Sequence, residues 1–280
     1  MPAFRVLGVP VRVHAATLPV HLVLAWSFSS DGDDALRRLA FVGVTLLSVL
    51  AHELGHALVA RRQGLAVGDV RVHALGGLAR IERRLPPEWR PSLEVWNALA
   101  GPATNLALAA LAFGVAVAVG RALPVDTPRA AWADPVAAFV ATNLVLGAVN
   151  LVPAFPSDGG RVLRALLATR LSYLRSTQVA LAVSVVVVGG LLALALDRGW
   201  GTLLGWLPLV VMLGFYAVHE WRGSKAFDAL ETFRAFVTSH RARFPALDRL
   251  PKDPRGQPLP GPIDDPDLTA AWHAFLSARG

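Results

Sequence analysis

Four stretches of this chain, residues 96–120, 135–157, 176–196 and 199–218, are apolar and carry no Asp, Glu, Lys or Arg. About 20 apolar residues suffice for a helix to cross a bilayer, so each is long enough to span one. Backbone polar groups in lipid must be satisfied within the protein, which restricts such segments to helices. Charged residues make up only 17% of the chain, against about 25% in a typical soluble domain. Two more apolar stretches, 15–30 and 39–60, bring the expected spans to six, although 15–30 is short for a crossing. The expected fold class is therefore an all-α polytopic membrane protein, with about six transmembrane helices and a small membrane-associated β-hairpin or sheet.

The segment 39–60 differs from the others because it contains His52-Glu53-Leu54-Gly55-His56. Residues four apart on a helix lie one turn above each other, so both imidazoles can reach one ion. Two imidazoles suit Zn²⁺, and an adjacent carboxylate, Glu53, can take a proton from water that the metal has made acidic. This is the H-E-x-x-H pattern of zinc hydrolases. The chain has eight His, and independent placement in such a composition gives only about 0.005 such matches. Ionisable groups inside a membrane segment are costly and usually functional. Cysteine is absent, so zinc would rest on His and carboxylate alone.

Taken in order, the run 4–14 alternates at its end and reads as a short strand at the membrane surface. His14 and His21 read as hydrogen-bonded structural groups. After the second span, Arg61-Arg62-Gln63-Gly64 ends the helix, and 67–84 reads as two strands broken by a turn at Gly76-Gly77. His73, in an alternating strand, is expected to face solvent or the interface. The third span contains Gly101-Pro102-Ala103-Thr104-Asn105, where small residues permit close helix packing and Asn105 must find a partner. Asn105 reads either as interhelical glue or as a group that positions substrate or the metal site.

The fourth span is irregular. Asn150-Leu151-Val152-Pro153-Ala154-Phe155-Pro156-Ser157-Asp158-Gly159-Gly160 places two prolines where a helix should continue, so the helix must break. Irregular backbone at membrane depth is tolerated only beside protein or a water-filled cavity, so the break points to a site. Asp158 reads in two ways: as the carboxylate that completes a zinc site, or as the cap of the helix that follows it. From residue 220 the composition turns polar, and the prolines between 251 and 262 read as an extended, flexible linker. The expected division is a transmembrane unit, 1–219, and a C-terminal tail, 220–280.

The formal net charge is +7, from 25 Arg and two Lys. In a chain this apolar the basic balance reads as arginine at the cytoplasmic ends of helices, and no nucleic-acid partner is expected. Loop 61–90 holds seven Arg and segment 161–175 four, which predicts both termini on the cytoplasmic side. The zinc site should then lie roughly 10 to 15 Å inside that surface. The Ala, Val and Leu content suggests a prokaryotic cell membrane as its location.

Together His52-Glu53-Leu54-Gly55-His56, Gly76-Gly77-Leu78-Ala79, Gly101-Pro102-Ala103-Thr104-Asn105 and Asn150 through Asp158-Gly159-Gly160 resemble the motifs of the site-2 protease family of intramembrane zinc metalloproteases. The resemblance implies one Zn²⁺ on His52, His56 and Asp158, Glu53 as general base, and substrate positioning by Asn150. It extends more weakly to Asn105, Gly76 and Gly77 as substrate-positioning groups, with the hairpin edge pairing with an unwound substrate strand. The implied partners are the lipid bilayer and a transmembrane substrate such as a membrane-tethered regulator. Many relatives carry PDZ or paired CBS modules, for which the loops and the tail here are too short. Two rival readings are a prenyl-protein peptidase, which resembles a different pattern with a downstream Glu ligand, and a divalent-metal transporter. A transporter should show paired repeat halves with matching broken helices, and the sequence holds a single break.

Overall fold

In the computed structural model, the described residues are 3–15, 17–19, 21–22, 35–73, 76–81, 89–124, 134–197, 200–252, 257–261 and 265–278. The chain opens with a hairpin, β1 (Ala3–Val6) and β2 (Val9–Val13), where a single strand is expected from sequence. Its two-residue turn puts both Leu7 (φ 51°) and Gly8 (φ 77°) at positive φ, as a tight hairpin of matching twist requires. Leucine is an uncommon residue in that conformation, which is why the turn carries no sequence signal.

Helix α1 (Ala35–Arg62) follows, and the chain then returns through β3 (Val67–His73) and β4 (Gly76–Ile81). The sheet order is β1-β2-β3-β4. β3 pairs with β2 in parallel, Val11 beside Val70, so β2, α1 and β3 make a β-α-β crossover. Val9, Val11 and Val70 bury against Leu54 and Ala57 of α1, with Val6, Leu50 and Ala79 at the margin. One sheet face is thus fixed to the helix that carries the pentad.

β3 and β4 are antiparallel, but Gly76 and Gly77 lie within β4, opposite His73 and Val72. The expected Gly-Gly turn is therefore corrected, since the strands are joined by 74–75, outside the described residues. A Cβ on Gly77 would fall 2.2 Å from Cγ of Glu53, so this glycine lets backbone approach a side chain rather than reverse direction.

Helix α2 (Pro91–Ala118), α3 (Pro135–Leu151), α4 (Asp158–Leu167) and α5 (Tyr173–Asp197) complete the centre. Among the described residues, Ala35–Arg62, Pro91–Ala118 and Tyr173–Leu194 are long and apolar enough to cross a membrane, and Pro135–Leu151 is a shorter apolar helix. The chain is thus built as an integral membrane protein. The expected span 15–30 lies mostly outside the described residues, and the side chains of most of 199–218 are not described. Asp134 caps α3 by accepting from Val136 N and Ala137 N, with Pro135 in the first turn. α3 stops at Leu151 and α4 begins at Asp158, which gives the break that the two prolines demand.

Helix α6 (Trp200–His240) runs unbroken past residue 220 and, at 1.5 Å per residue, is about 60 Å long, longer than a bilayer is thick. Beyond it the described residues of the proline-rich segment, 251–252 and 257–261, pair with one another where an extended linker is expected. Leu259 N donates to Pro251 O (2.7 Å), and Lys252 bridges to Pro258. Phe236, Val237, Phe244, Leu247, Leu250 and Leu268 form a small core with Trp272 and Phe275 of α7 (Pro266–Ser277). Apolar burial of the residues on both sides of this segment ties the tail to the end of α6.

Candidate metal centre

His52 and His56 lie one turn apart on the buried face of α1, and α2 crosses that face closely. A Cβ on Gly55 would meet Thr104 Oγ1 at 2.4 Å and Ala100 O at 2.7 Å, so glycine at 55 permits the crossing. Across it, a Cβ on Gly101 would lie 2.4 Å from His56 Nε2 and 2.6 Å from His52 Nε2. Gly101 is therefore the wall of the site, a role hidden in a sequence that reads it only as a packing residue.

Each imidazole is oriented by a group that can only accept. His56 Nδ1 donates to the Asn97 carbonyl (2.7 Å), and His52 Nδ1 donates to Asn105 Oδ1 (2.6 Å). Asn105 Nδ2 donates to Ser48 O (3.1 Å) and Asn143 Oδ1 (2.7 Å), which fixes its Oδ1 as the acceptor. Asn143 Nδ2 donates in turn to Ser48 Oγ (2.8 Å) and Phe139 O (2.9 Å). With both Nδ1 atoms protonated, both Nε2 atoms present lone pairs.

Those two Nε2 atoms lie 3.1 Å apart, and Asp158 Oδ2 lies 3.1 Å from each. Three electron-pair donors at that separation repel unless a cation sits among them. Four-coordinate zinc with ligands at about 2.0 Å has ligand–ligand edges of roughly 3.3 Å, so the triangle fits the ion. His52, His56 and Asp158 are all buried and together could hold a metal. Among the described residues no other such group occurs.

The carboxylate is delivered by the broken helix. Gly159 and Gly160 bring the start of α4 against the preceding loop, where any Cβ would fall 2.2 Å from Val152 O or 2.5 Å from Phe155 N. Asp158 Oδ1 accepts from Arg161 Nη1 (3.0 Å), while Arg161 Nη2 reaches Asn97 Oδ1 (3.1 Å), leaving Oδ2 to face the histidines. Further along α4, buried Arg164 pairs with Glu94 of α2 and Glu220 of α6, under the rings of Phe155 and Tyr173. These contacts anchor α4 to both neighbours. Ser157 takes the capping position of α4 without a side-chain cap bond, and Asp158 faces the histidines.

Glu53 is buried beside the pair, its Oε2 accepting from Ala79 N of β4 (2.7 Å). It lines, with His52, His56 and Asp158, a cavity of about 880 Å³. Asn150 lines the same cavity, but its Nδ2 donates to Leu146 O of its own helix (2.9 Å). Gly77 lines it too, while Gly76 opens β4 opposite His73. Asn105 is fully buried, and its amide is spent on His52, Ser48 and Asn143. Sequence reasoning missed Ser48, Asn97, Asn143 and Arg161. For Ser48 and Asn143 a signal existed, since a polar side chain in an apolar span must find a partner.

Gly101→Ala is expected to lower zinc affinity at least as much as loss of an outer-shell partner, about 10–100-fold. Elemental analysis of the purified variant after dialysis against a zinc buffer, with helicity followed by circular dichroism, checks this. Wild-type zinc content would contradict the role of Gly101.

A model of peptidase family M50 matches residues 40–125 and 119–194. The chain is similar to the zinc metalloprotease MJ0392 of Methanocaldococcus jannaschii, at 30% identity over 177 residues, 63% of this chain and 48% of that protein. It is also similar to Rip3 of Mycobacterium tuberculosis, at 36% identity over 179 residues, 60% of this chain and 43% of that one. The chain therefore spans about half the length of these curated relatives. In fold it is similar to the site-2 protease from Methanocaldococcus jannaschii, with a TM-score of 0.50 at 24% identity, covering 80% of this chain and 93% of that one. The family match takes in both halves of the metal group, the α1 histidines and Asp158, over more than half of the sequence, and the chain belongs to the site-2 protease family of zinc metalloproteases, peptidase family M50.

Proposed function

We propose that this protein is an intramembrane zinc endopeptidase that hydrolyses peptide bonds in or near transmembrane segments of membrane-protein substrates. The observation that carries the reading is the triangle of His52 Nε2, His56 Nε2 and Asp158 Oδ2, with the tautomers set by Asn105 and Asn97, among helices of membrane-spanning length. These three side chains would hold the ion. When bound, zinc supplies Lewis acidity, polarising a peptide carbonyl and making water acidic enough to lose a proton near neutral pH.

Glu53 is the base. It takes the proton from the attacking water and gives it to the departing amine nitrogen. Its burial keeps competing solvent away, and Gly77 leaves its carboxylate room against β4. Among the described residues β4 is an edge of the sheet, and its backbone beside Glu53 is suited to receive an unwound substrate strand. A helical substrate must unwind first, because its carbonyls are held in i to i+4 bonds. Asn150, on the cavity wall just before the break, contacts the bound segment once its amide turns from Leu146. Asn105 acts instead through His52, which its hydrogen bond orients.

The catalytic unit is residues 1–219. Both termini lie in the cytoplasm, as the arginines around α1 and α4 favour, and 220–280 is a cytoplasmic extension carried on α6. The physiological substrate class is a membrane-tethered regulator released by cleavage.

The test is cleavage of a single-span model substrate by the purified chain in nanodiscs. A chelator should abolish cleavage, stoichiometric zinc should restore it, and mass spectrometry should map the cut to the apolar segment. Cleavage that survives complete zinc removal would overturn the reading, as would zinc flux into vesicles without hydrolysis.

A further inference from the structure

The sheet has a second face, turned away from α1. Val70 and Val72 are buried toward the helix, so strand alternation turns Arg71 outward, as it does Arg12 beside Val11 and Arg80 beside Ala79. Arg5 of β1, next to inward Val6, joins them and is exposed. Arg12 and Arg71 are direct cross-strand partners, an arrangement that repels. Asp69, 3% exposed, collects three of these guanidinium groups: Arg71 at 3.0 Å, Arg12 at 3.3 Å and Arg80 at 3.6 Å. Burial pushes the Asp69 carboxyl up, but the Arg71 hydrogen bond and the charges of Arg71, Arg80 and Arg12 outweigh it and hold the group below its ordinary range, so it stays ionised. One carboxylate cannot neutralise four arginines. The guanidinium groups remain open to an outside anion, the side chains of Arg12 and Arg80 being 48% and 57% exposed.

Position decides which anion. The opposite face of the sheet packs on Leu50, Leu54 and Ala57 of α1, within the last few turns before Arg61 and Arg62 end that helix. At 1.5 Å per residue, Leu54 is about 12 Å and Ala57 about 7.5 Å from the helix end, so the sheet extends from the depth of the metal centre towards the headgroup layer. Arginine stems cover apolar surface while their heads reach phosphate, and guanidinium pairs with phosphate oxygens in a fork.

We propose that Arg12, Arg71 and Arg80, organised around Asp69, together with Arg5 on the same face, form a docking surface for anionic phospholipid headgroups that holds the sheet against the membrane. The surface is separate from the metal centre and does not depend on the catalytic reading. Each arginine near an anionic surface contributes about fivefold in affinity, so removing three costs about a hundredfold.

Native mass spectrometry of the full chain in detergent, titrated with phosphatidylglycerol or phosphatidylcholine, tests it. Wild type should retain phosphatidylglycerol preferentially. R12Q/R71Q/R80Q should lose the preference, and R12K/R71K/R80K should keep most of it. If the glutamine triple variant aggregates, the single variants Arg12→Gln and Arg80→Gln should each weaken retention about fivefold. Equal retention of the two lipids by wild type, or undiminished preference in the glutamine variants, overturns the proposal. So does an acidic peptide binding this face where phosphatidylglycerol does not, which would make it a protein-docking surface.

Discussion

Asp158→Ala is expected to strip the metal from the protein while leaving its helices in place. Removing the carboxylate takes away one of three groups that converge within 3.1 Å, and with it the negative charge facing the two imidazoles. The loss of zinc affinity should exceed the roughly 10–100-fold that an outer-shell substitution costs, since an inner ligand is gone. Arg161 also loses its partner at Oδ1, although Asn97 still accepts from its other nitrogen. Asp158→Asn separates these effects, because the amide oxygen can still accept from Arg161 while the charge is absent. Both variants should lack zinc by elemental analysis and show no cleavage, and Asp158→Asn should unfold closer to wild type. Stoichiometric zinc in Asp158→Ala would place the third ligand elsewhere.

Much of this site was legible in the sequence because its strongest signal is local. His52 and His56 need only helical spacing to meet, and the charge-free spans need only length to be read as helices. Asp158 was half legible: the two prolines before it announce a broken helix, but a capping role for the same residue fits the sequence equally well. The side-chain geometry favours the metal-facing role, since Ser157 takes the capping position and Asp158 Oδ2 points at both imidazoles.

What was not legible depends on contacts between distant segments. Asn97 and Gly101 gain their roles, and Asn105, read from sequence either as glue or as a positioning group, gains its partner His52, because α2 crosses α1 at Gly55, a registration that no periodicity encodes. The parallel pairing of β2 with β3 is likewise set by how both pack on α1. Gly76-Gly77 reads as a turn because glycine serves both reversal and close approach, and at Gly77 Glu53 demands the second. The proline-rich segment reads as extended because its prolines are locally stiff, yet Arg234 Nε donates to Pro258 O (3.3 Å) and the Phe236 cluster holds the residues that flank the segment to α6.

Glu53→Gln separates metal binding from chemistry. Glutamine has the same shape, and its amide oxygen can still accept from Ala79 N, so the fold and the three converging atoms should be unchanged. What it lacks is basicity. A positioned general base contributes about 10²–10⁴-fold to rate, so cleavage should fall by that factor with zinc still bound. The deciding measurement is therefore zinc content and cleavage rate of a single-span substrate, taken on the same nanodisc preparations of wild type and Glu53→Gln. The account predicts one zinc per chain in both and cleavage about 10²–10⁴-fold slower in Glu53→Gln; full zinc with undiminished cleavage in Glu53→Gln would contradict it.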